Sequence, residues 1–245
     1  MHLQFVGCGD AFGSGGRLNT CFHLVGKEVN ALIDCGATSL VGMNKLAIAR
    51  NGIDTIFITH FHADHIAGLP FFILEANYVA KRTRPLTIVG PPGLKARLPH
   101  VMECGFPGTK ELSLGFTLTL QELDIGKRRE VGHVAVTPYH VVHDDRAGPC
   151  LGFRFEVEGK VIAFSGDTQW TDALIELGRD ADLFICEAYT RDKPIATHMA
   201  LSSLEQHLPQ IKPKRIILTH MSNDMLTRRA EVPYETAEDG MIVKL

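Results

Sequence analysis

Residues 55–65 read TIFITHFHADH, an apolar run that ends in three histidines and an aspartate within six positions, and this limits the fold more than any other feature. The run 55–59 has the β-branched character of a strand, and HxHxDH follows at once. Neutral imidazoles suit zinc, iron or manganese, and a carboxylate adds negative charge and affinity for harder cations. In extended backbone His60 and His62 point the same way, whereas a turn into a following helix redirects Asp64 and His65. One short loop can therefore serve two adjacent ions. Each ion takes about four ligands, so the remaining ligands must come from distant sequence, and other strand ends offer candidates.

Strand-like runs recur at 3–6, 21–25, 31–33, 55–59, 86–89, 134–137, 151–157, 161–164, 183–186 and 215–219, most of them bounded by Gly, Asp or Pro. Helical stretches are fewer: 39–51, 66–81, 171–178 and 201–210. The first carries Leu40, Met43, Leu46 and Ala47 at helical spacing. This mixture predicts layered sheets covered by helices. Two internal echoes bear on the architecture: TIFITHFHAD (55–64) with RIILTHMSND (215–224), and ALIDCGAT (31–38) with IAFSGDT (162–168). Two similar halves meeting at a shared cleft account for both; chance similarity of β-rich segments is the alternative. No Pro/Ser-rich linker divides the halves, so 1–245 reads as a single domain.

A hydrophobic share of 45% with 22% charged residues describes an ordinary globular chain. The most apolar segment, 66–80, is interrupted by Pro70, Glu75 and Asn77 and falls short of the roughly 20 residues that span a bilayer. The start, MHLQFVGCGD, lacks a basic stretch followed by an apolar one, so it does not read as a secretory signal. Six cysteines, none closer than thirteen residues to the next, form no CxxC pair and read as reduced, buried structural thiols. These features favour the cytoplasm. A net charge of -3 leaves no global footprint for nucleic acid, and Lys127-Arg128-Arg129 reads as a solvated loop.

THFHADHIAG, FSGDT and ILTH together resemble the metallo-β-lactamase superfamily, over nearly the whole chain. VGCGDAFGSGGRLNTCF, CEAYT and THMALSS look most like the branch containing ribonuclease Z and related phosphodiesterases. The resemblance implies an α/β fold, a four-layered αββα sandwich of two similar halves. It implies that His60, His62 and His143 hold one metal and that Asp64, His65 and His220 hold the other, with Asp167 bridging the two. A bridging carboxylate suits two dications, because it screens their repulsion across roughly 3.5–4 Å. His140 competes with His143, which is preferred for its position ahead of the GFRF strand. By the same resemblance Glu187 and His198 serve catalysis together with Asp64. His198 would protonate the leaving oxygen, and Glu187 would orient its imidazole. The alternative for the pair is a surface histidine and a buried acid capping a turn. Asp34 reads as a brace for the metal loop.

The implied activity is a dinuclear metal-dependent hydrolase, most simply with zinc, manganese or iron being alternatives. The substrate would be a small or cyclic phosphodiester or a short RNA, and related enzymes are often homodimers. Only EVEGKVIA separates GFRF from FSGDT, so the long arm by which ribonuclease Z holds transfer RNA is lacking. Two competing readings are a thioester, lactone or other carbonyl-ester hydrolase, since the same ions polarise C=O, and a metal-binding interaction module without turnover.

Overall fold

The apolar runs become strands because both faces of each are covered. The computed structural model describes residues 1–245. In chain order the strands are β1 (His2–Gly7), β2 (Cys21–Val25), β3 (Asn30–Ile33), β4 (Thr55–Phe57), β5 (Leu86–Gly90), β6 (Leu118–Glu122), β7 (Arg129–Val131), β8 (Val134–His140), β9 (Leu151–Val157), β10 (Lys160–Phe164), β11 (Leu183–Glu187), β12 (Ile216–Thr219), β13 (Glu235–Thr236) and β14 (Ile242–Lys244). The helices are α1 (Ser39–Lys45), α2 (Ala63–Ile66), α3 (Leu69–Tyr78), α4 (Leu94–Gly105), α5 (Ala173–Gly178), α6 (Leu201–Ile211) and α7 (Asn223–Thr227).

One sheet runs β14-β1-β2-β3-β4-β5-β6 and the other β7-β8-β9-β10-β11-β12-β13. Each shows the same succession, three antiparallel pairings and then three parallel ones. Parallel neighbours need crossovers, and α1 to α4 serve the first sheet while α5 to α7 serve the second. The inner faces meet in a shared core where Phe22 lies edge-on to Phe164 at 5.0 Å and Phe57 edge-on to Phe155 at 5.0 Å. The outer faces bury a second core under α1 to α4 and a third under α5 to α7. The result is the expected four-layered αββα sandwich of two similar halves. The doubly covered strands explain why Ala31-Leu32-Ile33 and Leu183-Phe184-Ile185 are apolar at every position.

The two echoes fare differently. ALIDCGAT and IAFSGDT follow equivalent strands, β3 and β10. TIFITH ends at β4 and RIILTH at β12, which is one strand out of step, because the counterpart of β4 is β11. Thr-His thus recurs because both strand ends reach the same cleft, and the halves are not superposed at these positions. Several helical expectations also change. The stretch 39–51 ends as a helix at Lys45, and 66–81 is helical only over α3, because α2 already ends at Ile66 and the chain breaks at Ala67-Gly68, where Gly68 lies so close to the Gly36 carbonyl that a Cβ would sit 2.3 Å from it. Helix α4 was unexpected: Pro99 interrupts its pattern, although Leu94, Leu98 and Met102 are buried at four-residue intervals. Strands β6, β7, β13 and β14 were likewise unexpected, being short or half-exposed edges.

Five cysteines are buried, but Cys104 is exposed, which corrects that expectation. No helix is long and apolar enough to cross a membrane. Strands β9 and β10 are joined by Glu158-Gly159 alone, with φ 49° and 75°, the left-handed pair of a tight hairpin turn.

Candidate metal centre

The first candidate ligands stand where β4 gives way to α2. Past Phe57 the chain stays extended, with Ile58 N–H donating to the Val89 carbonyl and Leu151 N–H donating to that of Thr59. His62 keeps extended backbone just ahead of α2, and Asp64 and His65 fall inside that helix. The turn separates the side chains into two groups. His62 Nδ1 lies 3.1 Å from His60 Nε2 and 3.0 Å from His143 Nε2. One nitrogen cannot hydrogen-bond both neighbours while all three rings stay neutral, so the three lone pairs describe a shared ligand position. In the second group His65 Nε2 lies 3.2 Å from Asp64 Oδ2 and 3.2 Å from Asp167 Oδ2, and His220 Nε2 is 3.2 Å from Asp167 Oδ2. Asp167 Oδ2 is also 3.9 Å from both His60 Nε2 and His143 Nε2, so it stands between the groups.

These residues fit cations. Asp64 Oδ2, His65 Nε2 and Asp167 Oδ1 are buried without a hydrogen-bond partner, an expensive state for polar atoms that a divalent ion would relieve. Burial, then the neighbouring imidazoles, holds the pKa of His60 well below the ordinary histidine range, which keeps it in the neutral form that ligates. His62 is lowered by burial and His143. At His65 burial opposes the charge, but Asp167, Asp64 and Asp34 outweigh it and raise the pKa.

The outward-facing nitrogens are committed elsewhere. His65 Nδ1–H donates to Asp34 Oδ2 at 2.7 Å, and His143 Nδ1–H donates to the Thr197 carbonyl at 2.7 Å. These contacts fix the tautomer that leaves Nε2 facing the cluster. Asp34, Thr197 and His220 all have positive φ, at 58°, 75° and 55°. Such non-glycine conformations store about 1–3 kcal/mol each and gather at functional sites.

Glu187 closes β11 and is fully buried. Its Oε1 accepts from the backbone N–H groups of Thr168 and Met199, and its Oε2 accepts from His198 Nδ1–H at 2.9 Å. His198 stacks on Tyr189 with ring centres 4.4 Å apart. Burial works against its charge, but Glu187 outweighs burial and pushes the pKa up to about 9. Donor atoms of His143, Asp167 and His198 lie within 4.8 Å of one another, which sets His198 at the edge of the metal cluster.

His62, Asp64, His143, Asp167, His198 and His220 line one cleft of about 470 Å³, and His60, His65 and Glu187 lie buried behind them in the same cluster. His140 does not join them, since it ends β8 exposed. His2, His23, His100, His133 and His207 stay outside the cluster. Arg128 is paired with Glu130 and Glu156 at the surface. Sequence reasoning missed Thr59, which hydrogen-bonds Asp34, the Thr197 carbonyl, and Ala11 with Phe12 on the lip of the cleft. A backbone carbonyl leaves no mark in a sequence, and Phe12 looked like any loop apolar residue.

Over residues 1–241 the sequence matches the family described as the anti-Pycsar protein Apyc1. The chain belongs to that family. Ribonuclease Z of Geobacillus kaustophilus is 27% identical over 279 aligned positions, covering 91% of this chain and 89% of that protein. Those positions outnumber the 245 residues here, so the relative carries segments this chain lacks. Human tRNase Z, short form, shares the fold at TM-score 0.80 and 23% identity, covering 100% of this chain and 99% of that one. A diphosphatase of the PhnP family does so at TM-score 0.79 and 21% identity, covering 100% and 97%. The Apyc1 family member thus shares the metallo-β-lactamase fold, and its His/Asp cluster is compatible with divalent metal ions.

Proposed function

We propose that the protein hydrolyses small or cyclic phosphodiesters, with short RNA within reach, using two divalent ions, zinc foremost. The observation that carries this is the pair of ligand groups joined at Asp167, with His198 held beside them by Glu187. His60, His62 and His143 would hold one ion and Asp64, His65 and His220 the other, with Asp167 placed to serve both. Ions so held supply an activated water near neutral pH and neutralise charge on phosphoryl oxygens. Asp64 accepts a hydrogen bond from the attacking water and so orients it. His198, protonated at neutral pH, donates its Nε2 proton to the departing alkoxide, while Glu187 fixes the ring through Nδ1. The two-residue β9–β10 turn and the net charge of -3 support a compact substrate over transfer RNA.

We further read residues 1–245 as one domain acting in the cytoplasm, where its six free thiols stay reduced. We read it as a homodimer too, because Phe71 and Tyr78 of α3 and the adjoining Val79 are exposed.

The test combines metal analysis with turnover of a cyclic nucleotide, bis(p-nitrophenyl) phosphate, a thioester and a lactone. Two ions per chain are expected. His198→Ala should keep them and lower turnover of the cyclic nucleotide about 10²–10⁴-fold. The loss should be much smaller for the nitrophenyl ester, whose leaving group departs without a proton. Carbonyl hydrolysis indifferent to His198, with no diester cleavage, would overturn the proposal.

A further inference from the structure

Above the metal cluster the chain leaves one large apolar side chain in water. Phe12 is 84% exposed, more than any other large hydrophobic residue, and lines the same cleft as His62, Asp64, His143 and His220. It is the only carbocyclic ring in that lining. An isolated exposed apolar residue needs no explanation, but this one sits on a turn that the fold holds still.

Gly13 N–H donates to the Asp10 carbonyl at 3.3 Å, which closes a turn with Ala11 and Phe12 at its corner, and Gly13 takes φ 67° to leave it. The buried Asp10 carboxylate accepts from Ser14 N–H at 2.8 Å and from Ser14 Oγ at 2.7 Å. Asn19 Nδ2 donates to the Asp10 carbonyl at 3.1 Å. The loop is also fixed to the far end of the chain. Leu18 N–H donates to Asp239 Oδ2 at 2.8 Å, and Arg17 donates to the Ala237 carbonyl. Just before the turn, the Cys8 carbonyl accepts from the backbone N–H of His220 at 3.1 Å, which ties the loop to a ligand-bearing residue. Freezing a loop only to present a solvated ring over a cleft is useful when a flat ligand group completes the contact.

We propose that Phe12 is a stacking platform for the nucleobase of the substrate, so that the site prefers nucleoside phosphodiesters over diesters of non-aromatic alcohols. This rests on the phosphodiesterase reading above. A nucleobase offers a π-face to a fixed aromatic ring whatever its edge pattern. The phosphate would lie toward the histidines and the base toward the lip, since the two kinds of side chain occupy different parts of one cleft.

The test measures binding by the zinc-loaded full chain. Calorimetric titration of a nucleoside 5′-monophosphate and of ribose 5-phosphate gives the ratio of their dissociation constants for the wild type and for Phe12→Ala, Phe12→Leu and Phe12→Trp. Removing a stacked aromatic weakens base binding about 5- to 150-fold, so the ratio should fall by at least about fivefold in the Ala variant. It should fall in Leu as well, which keeps apolar bulk without a π-face, and hold in Trp. A ratio unchanged in Phe12→Ala, or fully kept in Phe12→Leu, overturns the platform. So does a change in sedimentation of Phe12→Ala, because the ring would then pack on a second copy of the chain. Turnover of bis(p-nitrophenyl) phosphate, followed in parallel, separates the two ideas. Lost turnover with a base-dependent ratio fails only the phosphodiesterase reading, and intact turnover with a flat ratio fails only Phe12.

Discussion

Asp34→Asn tests whether the second ion depends on a carboxylate that never touches it. Asp34 is fully buried and accepts from Thr59 N–H at 2.8 Å, from Thr59 Oγ1 at 2.9 Å and from His65 Nδ1–H at 2.7 Å. Its positive φ is tolerated by Asn, so the backbone has no reason to move. An amide, however, has one acceptor oxygen. If that oxygen stays on Thr59 N–H, the new NH₂ faces His65 Nδ1. The imidazole must then carry its proton on Nε2, the atom that should hold the ion. If the amide flips, NH₂ meets Thr59 N–H, donor against donor. Either outcome removes one charge-assisted hydrogen bond, about 1.5–3 kcal/mol. That agrees with the 10- to 100-fold loss of metal affinity usual when such a supporting group is altered. Competition with a chromophoric chelator measures it. The expected result is one ion weakened by that factor, with the ion at His60, His62 and His143 held as in the wild type. Wild-type affinity at both positions would refute the reasoning.

Other consequences follow from the same geometry. As the proton donor His198 must be charged, so turnover should decline as pH rises through about 9, the value to which Glu187 raises it against burial. In Glu187→Gln that alkaline limb should move to lower pH, and a pH–rate profile in which it stays put would remove Glu187 from its role. Chelation should lower the melting temperature, because the partnerless Asp64 and Asp167 oxygens lose their cations. At a hundredfold excess over Kd, bound ion contributes about 2.7 kcal/mol, or roughly 5–11 °C for a chain of this size, and an unchanged melting curve would count against the metal centre. Gly36→Ala should destabilise by about 1–3 kcal/mol and lower metal content, since a Cβ there would lie 2.1 Å from the Asp64 carbonyl. Wild-type melting and metal content would show that the loop yields without strain.

How much of this could be read from the chain differs by residue. HxHxDH was legible because four candidate ligands within six residues need no partner to be noticed. Asp167, His220, Glu187 and His198 were named only through the resemblance, the residues alone saying no more than that further candidates stand at strand ends. His143 against His140 could not be settled by spacing. The fold separates the two, because β8 runs on to His140 and leaves that side chain at the surface, whereas His143 lies beyond the strand, where its ring donates to the Thr197 carbonyl beside His60 and His62. Helix α4 escaped notice because Pro99 masked an otherwise regular burial pattern.

The αββα sandwich and the distant candidate ligands came from resemblance, whereas layered sheets and a metal-binding cluster at HxHxDH were legible in the residues themselves. The latter two follow from local composition, namely strands apolar on both faces and ligating side chains placed where a strand ends. Tertiary structure decided the pairing of the sheets, the equivalence of β3 with β10 but not of β4 with β12, and the commitments of Asp34, Thr197 and Thr59. It also decided that Phe12 stands over the cleft. Each of these joins residues far apart in the chain, and their distances are set only when two sheets bury a common face.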